Sequence, residues 1–235
     1  MASRAQRYRL IGLLGAIVLL IVLAWGWYWV HLPGKFPIRY VQFYGKYALV
    51  DKKQLQQAVT PFVDHNFFNT SVDQIQNALL AIPAIQYARV KRVWPDTLAI
   101  NIQERKALAV WNDSALLDAK GKLFHATSTQ YWQGLPHFAG GKKQIPTMVA
   151  MYLRLGKWLK PDKLFVMALT ESAFGDWQVK VSPGIWLYLG RIAIASRLKR
   201  FVQAYPYLVK SMPNHQIAYV DCRYRQGFAV KWRQT

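Results

Sequence analysis

The sequence predicts an α+β protein with three parts. One N-terminal transmembrane helix comes first, then a compact β-α-α-β-β module, then a mixed sheet with packed helices. Three observations carry this. The 21 residues Leu10–Val30 hold no charged side chain. Residues 38–105 run strand, two capped helices and a hairpin. Residues 106–235 alternate short apolar strands with two amphipathic stretches of helical period.

Twelve residues of the first run are Leu, Ile or Val. At about −0.3 to −0.6 kcal/mol each they favour insertion by roughly 4–7 kcal/mol. The run is long enough to cross a bilayer as one helix. Arg4, Arg7 and Arg9 precede it without an acid, which keeps residues 1–9 in the cytoplasm by the positive-inside rule. Trp25, Trp27, Tyr28 and Trp29 form the aromatic belt expected at the far interface. Residues 31–235 then lie outside the cytoplasm. They carry all but three of the 31 Lys and Arg, yet long domains translocate largely regardless of charge. Lys35 and Arg39 are near enough to the span to oppose this orientation. A cleaved signal peptide is the rival reading, but Ala24-Trp25-Gly26-Trp27 lacks the small residues that cleavage needs. The sequence therefore favours an uncleaved anchor bounded by Leu10 and Val30.

The net charge of +20 is scattered along the chain. It fits anionic lipid, an acidic wall polymer or an acidic protein, and the orientation argues against nucleic acid. Cys222 is the single cysteine, so no internal disulfide forms and packing must hold the exported part.

His31 to Pro37 reads as a short linker. Ile38–Tyr44 is a β-branched and aromatic strand ended by Gly45. Asp51 and Gln54 resemble a capping box opening a helix that Pro61 stops, and Ser71 with Gln74 opens a second one that Pro83 ends. Ile85–Val93 and Leu98–Ile102 are strands joined by a turn in which Pro95 takes the second position. Two helices on one face of a three-stranded sheet make a sensible small domain.

Further on, Leu108–Trp111, Ala115–Leu117 and Lys122–Phe124 are short strands. Pro136 to Pro146 marks a loop. Met148–Leu159 keeps helical spacing. Leu164–Leu169, Trp177–Val181 and Ile185–Leu189 are strands. Ile194, Leu198, Phe201 and Val202 form a helix core face, with Arg197, Lys199 and Arg200 turned away. Ile217–Tyr224 and Phe228–Trp232 are the last two strands.

No convergent reactive set is visible. Most of the eleven acids sit at caps, turns and strand ends. His31, His65, His125, His137 and His215 are scattered without metal-ligand spacing. Cys222 alternates with Val220 and Tyr224 and reads as a small buried hydrophobe. The residues give no catalytic group, no metal ligands and no cofactor motif.

The last strand is the best functional candidate. Phe228, Val230 and Trp232 share one face; Ala229, Lys231 and Arg233 share the other. If it lies at a sheet edge, it offers backbone groups to another chain. About five or six new hydrogen bonds at a net ~0.5–1.5 kcal/mol each would contribute several kcal/mol before ordering costs. Arg223, Arg225, Lys231 and Arg233 would prefer an acidic partner. An interior strand with core aromatics is the competing reading.

An ordered set of motifs carries a resemblance. Val90-Lys-Arg-Val-Trp-Pro-Asp96, Glu104, Ala109-Val-Trp-Asn-Asp113 and Leu117-Asp-Ala-Lys-Gly121 come first. Arg197-Leu-Lys-Arg-Phe201, Tyr205-Pro206, Tyr219-Val-Asp-Cys-Arg-Tyr224 and Gly227-Phe-Ala-Val-Lys-Trp232 follow. The set resembles the FtsQ/DivIB family of bacterial cell-division proteins, whose first exported module is a POTRA domain and whose second is a β-domain. The resemblance implies boundaries at 1–9, 10–30, 31–37, 38–105 and 106–235.

It also implies a non-enzymatic inner-membrane scaffold at the division septum, with its C-terminal domains in the periplasm. Partners would be FtsB-like and FtsL-like proteins and other division components. The partner strand would dock through Arg223, Tyr224, Gln226, Gly227, Phe228, Val230 and Trp232. Arg223 would pair with an acid, Tyr224 and Trp232 would anchor apolar groups, and Gly227 would permit close approach. Gln226 and Phe228 depart from the family's usual smaller residues. Val72, Val90 and Arg92 match the family's recruitment face, although both valines read equally well as core. Leu10, Val30, Trp25, Trp27 and Trp29 mark the anchor. The alternatives are a membrane-tethered cell-wall enzyme, with Asp221 or Glu171 as its acid, and a POTRA-type chaperone or anionic-polymer binder.

Overall fold

A computed structural model describes residues 4–32, 35–63, 66–126 and 132–234, without the side chains of 4–11 and of Gln234. Expectations for residues 1–3, for Pro33, Gly34 and His65, and for the side chains of Arg4, Arg7, Arg9 and Leu10 lie outside the described residues. The chain divides into two compact units, Met1–Glu104 and Arg105–Thr235.

The first unit opens with helix α1, Arg4–Val30. Its segment Gly12–Val30 is long and apolar enough to cross a membrane, and no part of it is buried by the protein. Trp25 and Trp27 are largely exposed, and Trp29 less so.

Strand β1 (Tyr40–Tyr44), helices α2 (Lys52–Val63) and α3 (Val72–Leu80), and strands β2 (Ile85–Val93) and β3 (Thr97–Glu104) complete this unit. The three strands lie in the order β1-β3-β2, with β1 parallel and β2 antiparallel to β3. Leu55, Val59, Ile75 and Leu79 of the helices meet Val90, Leu98, Ile100 and Ile102 of the sheet in the buried interior. Ser71 caps α3 by accepting from the Gln74 amide at 3.3 Å, as the sequence predicts.

Two details differ from expectation. The first strand begins at Tyr40. Pro61 lies inside α2 and does not stop it, because its missing N–H costs one bond in the last turn while Leu55 and Val59 hold the helix to the core.

Gly45 follows β1 at φ +116°, and a Cβ there would lie 2.2 Å from the Ile102 carbonyl oxygen. Only glycine fits that approach. Just beyond, Glu104 accepts from the amides of Ala48, Leu49 and Val50 at 2.7, 2.7 and 2.8 Å. One carboxylate thereby closes the β1–α2 connection onto the end of β3.

Among its described residues the second unit is a nine-stranded sheet with two α-helices. Its strands are β4 (Ala107–Trp111), β5 (Ala115–Asp118), β6 (Leu123–Phe124), β7 (His137–Ala139), β8 (Val166–Glu171), β9 (Trp177–Val181), β10 (Ile185–Gly190), β11 (His215–Asp221) and β12 (Ala229–Gln234). The helices are α4 (Ile145–Leu159) and α5 (Ile194–Ser211). The spatial order is β12-β11-β10-β9-β8-β7-β4-β5-β6. Met148, Leu155 and Leu159 of α4 and Leu198 and Phe201 of α5 share one core with Leu169, Val179, Leu187 and Val220 of the sheet.

Strand β7 falls within the stretch expected as a loop. Three residues between Pro136 and Gly140 are too few to show an alternating pattern, yet they pair in parallel with both β4 and β8. Pro146 lies in the first turn of α4, where its missing N–H costs nothing.

Candidate functional site

Strand β12 pairs antiparallel with β11, from His215↔Gln234 to Asp221↔Ala229. Strand β11 in turn pairs parallel with β10. Among the described residues no strand lies on the other side of β12. Phe228, Val230 and Trp232 are half-buried against the core, while Ala229, Lys231 and Arg233 face solvent. The alternation read from the sequence therefore holds, and the strand is an edge, not an interior strand.

The two strands end differently from expectation. β11 stops at Asp221, and Cys222–Phe228 forms a connection. Cys222 remains fully buried, its amide donating to the Tyr188 carbonyl at 3.0 Å. Burial pushes its thiol up to about 12, so it stays protonated and inert. Tyr224 lies past the strand end and is 57% exposed, so it does not share the face of Cys222 as the sequence predicts.

Helix α5 holds this connection. Arg197 donates to the carbonyls of Leu189 at 2.5 Å and Arg223 at 3.0 Å. Arg200, one turn on, donates to Arg225 O at 2.6 Å and Tyr224 O at 3.0 Å. Its guanidinium also stands 5.7 Å from the Phe228 ring centroid. The expectation that both arginines face away is corrected. They are half-buried, because the connection presents carbonyls that no strand pairs and a guanidinium fork fits two at once. Sequence reasoning missed them because an arginine serving a backbone carries no acidic partner in the sequence to flag it.

Arg223, expected to meet an incoming acid, lies in this connection. It folds back on Asp221, with Nε 2.9 Å from Oδ1 and Nη2 2.6 Å from Oδ2. Hydrogen bonding from Arg223 holds the Asp221 carboxyl below its usual range, and the carboxylate raises the Arg223 guanidinium in return. Arg223 thus already has an acid in its own chain.

The connection and the edge enclose a groove of about 970 Å³ lined by Tyr224, Arg225, Gln226, Gly227, Phe228 and Ala229. A hollow of about 350 Å³ on the α5 side shares Gln226, Gly227 and Phe228 with it and adds Tyr207. A Cβ at Gly227 would meet open space, so nothing within the chain requires glycine there. The structure brings the C-terminal candidates together, but it sets Trp232 and Val230 into the core face and leaves Arg223, Tyr224, Arg225 and Gln226 as the open ones.

In the first unit the three recruitment candidates separate. Val90 is buried at 7% exposure between sheet and helices, which takes it off any surface. Val72 is half-buried at the start of α3. Arg92 is exposed, and its Nη2 donates to the carbonyls of Phe68 and Thr70.

The order of an apolar helix, a β-α-α-β-β module and an open-edged mixed sheet defines a POTRA-bearing protein with one N-terminal span candidate. Residues 36–105 match the FtsQ-type POTRA domain, and residues 109–223 match the C-terminal domain of cell division protein FtsQ/DivIB. The cell division protein FtsQ of Burkholderia pseudomallei is 31% identical over 220 residues, covering 92% of this chain and 88% of that protein. FtsQ of Neisseria gonorrhoeae is 30% identical, covering 90% and 86%. FtsQ of Shewanella oneidensis is 32% identical, covering 83% and 74%. The chain belongs to the FtsQ/DivIB family of cell-division proteins.

Proposed function

We propose that this division protein is a non-enzymatic scaffold, anchored by α1 in the inner membrane with both exported domains in the periplasm, and that β12 receives a strand from an FtsB-like protein paired with an FtsL-like one. The observation that carries the reading is the open edge of β12. Its backbone is unpaired on one side among the described residues, and its outward face presents Lys231 and Arg233. An added strand would satisfy those groups, and acidic side chains on it would meet the cations. Tyr224 and the adjoining groove offer an apolar seat beside the edge. Five carboxylates support the non-enzymatic side of the reading, whereas burial raises the Glu171 carboxyl, to which Thr147 donates at 3.5 Å. Glu104, Asp118 and Asp221 are each tied to backbone amides or an arginine, Asp113 to His137 and Asp176 to Arg191.

Capture of the same organism's FtsB-like protein by the purified full chain tests this. Tyr224→Asp and Lys231→Glu should each weaken capture at least tenfold without changing the thermal midpoint. Capture unimpaired by both substitutions overturns the edge-strand reading.

A further inference from the structure

The segment after α1, expected as a short linker, is fastened to the module that follows it. A helix leaves its last carbonyls without partners, and at a membrane interface such groups are costly. Here the α2–α3 loop supplies donors. Asn66 Nδ2 donates to Val30 O at 2.8 Å and to Leu32 O at 3.0 Å. Asn69 Nδ2 donates to His31 O at 3.1 Å. Asn66 is only 5% exposed. Its Oδ1 accepts from the Phe68 amide at 2.8 Å, so both amide hydrogens and the carbonyl oxygen of the carboxamide are engaged. The Phe67 amide donates to Phe36 O at 2.9 Å, and Pro37 bridges to Asn66.

Aromatic rings continue the belt of the helix onto this loop. Trp27 stacks on His31 at 4.4 Å. Trp29 meets Phe36 edge-on at 6.2 Å, and Phe36 meets Phe68 at 5.4 Å. Lys35 Nζ stands 4.9 Å over the Trp29 ring. Phe68 keeps 37% of its surface open. The cations here are Lys35, Arg39 and Arg92, and residues 31–50 contain no acid.

We propose that residues 66–69 of the α2–α3 loop, clasped to the end of α1 by Asn66 and Asn69, are a second membrane-contact site that seats in an anionic phospholipid headgroup layer and fixes how the POTRA module stands on the bilayer. The lipid surface is the occupant because the cluster is continuous with the span and joins interfacial aromatics to three cations, against the single acid of the loop sequence, Asp64. The inference rests on the reading of α1 as a membrane anchor.

The test uses the full chain in nanodiscs of about three parts phosphatidylcholine to one part phosphatidylglycerol, with a spin label at Phe68→Cys. Cys222 is buried and does not compete for the label. Collisions with dissolved oxygen should exceed those with a water-soluble nickel chelate. Adding Asn66→Asp and Asn69→Asp removes the donors and keeps the Asn66 acceptor, and should raise nickel collisions severalfold. Amide exchange of Phe67 and Phe68 in the unlabelled protein should quicken with the same pair. A protein washed from lipid by alkaline carbonate fails the anchor reading itself. An inserted protein whose label at 68 is as open to nickel as free label in buffer overturns this inference alone.

Discussion

Arg223 closes on Asp221, two residues upstream, through Nε at 2.9 Å from Oδ1 and Nη2 at 2.6 Å from Oδ2. Asp221 also accepts from the Arg223 amide at 3.0 Å. The pair fixes the exit of β11, and with it the start of the connection that leads to the edge.

Asp221→Asn should therefore destabilise the second unit by about 1 kcal/mol, a modest figure because Arg223 is largely in solvent. The native Asp221 carboxyl sits below its unfolded value near 3.9. Its contribution is present above that value and is lost as pH falls through the native one. Urea melts should show a constant gap between wild type and Asp221→Asn from pH 5 to 8 that closes below about pH 4.

The Arg200 fork spans two carbonyls, and a lysine ammonium cannot reproduce that geometry. Arg200→Met should cost about 2 kcal/mol for two charge-assisted bonds, and Arg200→Lys should recover only part of it. Amide exchange across residues 222–228 should quicken in both. If the edge is the docking site, partner capture should weaken in the same rank order.

Tyr224 and Trp232 should separate binding from folding. Trp232 is half-buried on the core, so Trp232→Ala should cost about 2 kcal/mol, less than a fully buried aromatic. Tyr224 is exposed, so Tyr224→Ala should stay within about 0.5 kcal/mol of wild type. Chemical denaturation gives both numbers, and partner capture should fall for Tyr224→Ala despite its intact stability.

Glu104 holds three amides, and those of Leu49 and Val50 belong to buried residues. Glu104→Ala leaves them unpaired and should lower the stability of the first unit by about 3 kcal/mol. Glu104→Gln keeps one acceptor oxygen and should cost roughly half as much. Thermal melts of the two variants, side by side, check the ratio.

Much of this architecture is legible in residue patterns. The span, the capped α3, the β2–β3 hairpin and the in-out alternation of Phe228 to Arg233 all follow from periodicity and cap chemistry. What escapes is whatever depends on backbone partners far away in sequence. Strand β7 is three residues long and has meaning only between β4 and β8. Arg197 and Arg200 serve carbonyls about 25 residues on. Asn66 clasps a helix end 36 residues earlier, at Val30. In each case the polar side chain or short segment reads locally as surface or loop, and only tertiary placement reveals what it satisfies. The site followed the same rule. The cations and the core reading of Val90 were visible, but the occupation of Arg223 by Asp221 was not.

The two ends of the large sheet are unequal. At one end β6 spans just Leu123–Phe124, with Phe124 buried, while at the other β12 runs six residues from Ala229 to Gln234. Head-to-tail stacking of identical subunits needs two long complementary borders, since an unclosed repeat of that kind grows into a fibre. This sheet offers one. If a guest strand joins at β12, the sheet leaves, among the described residues, no second long border from which copies of this chain could build a fibre.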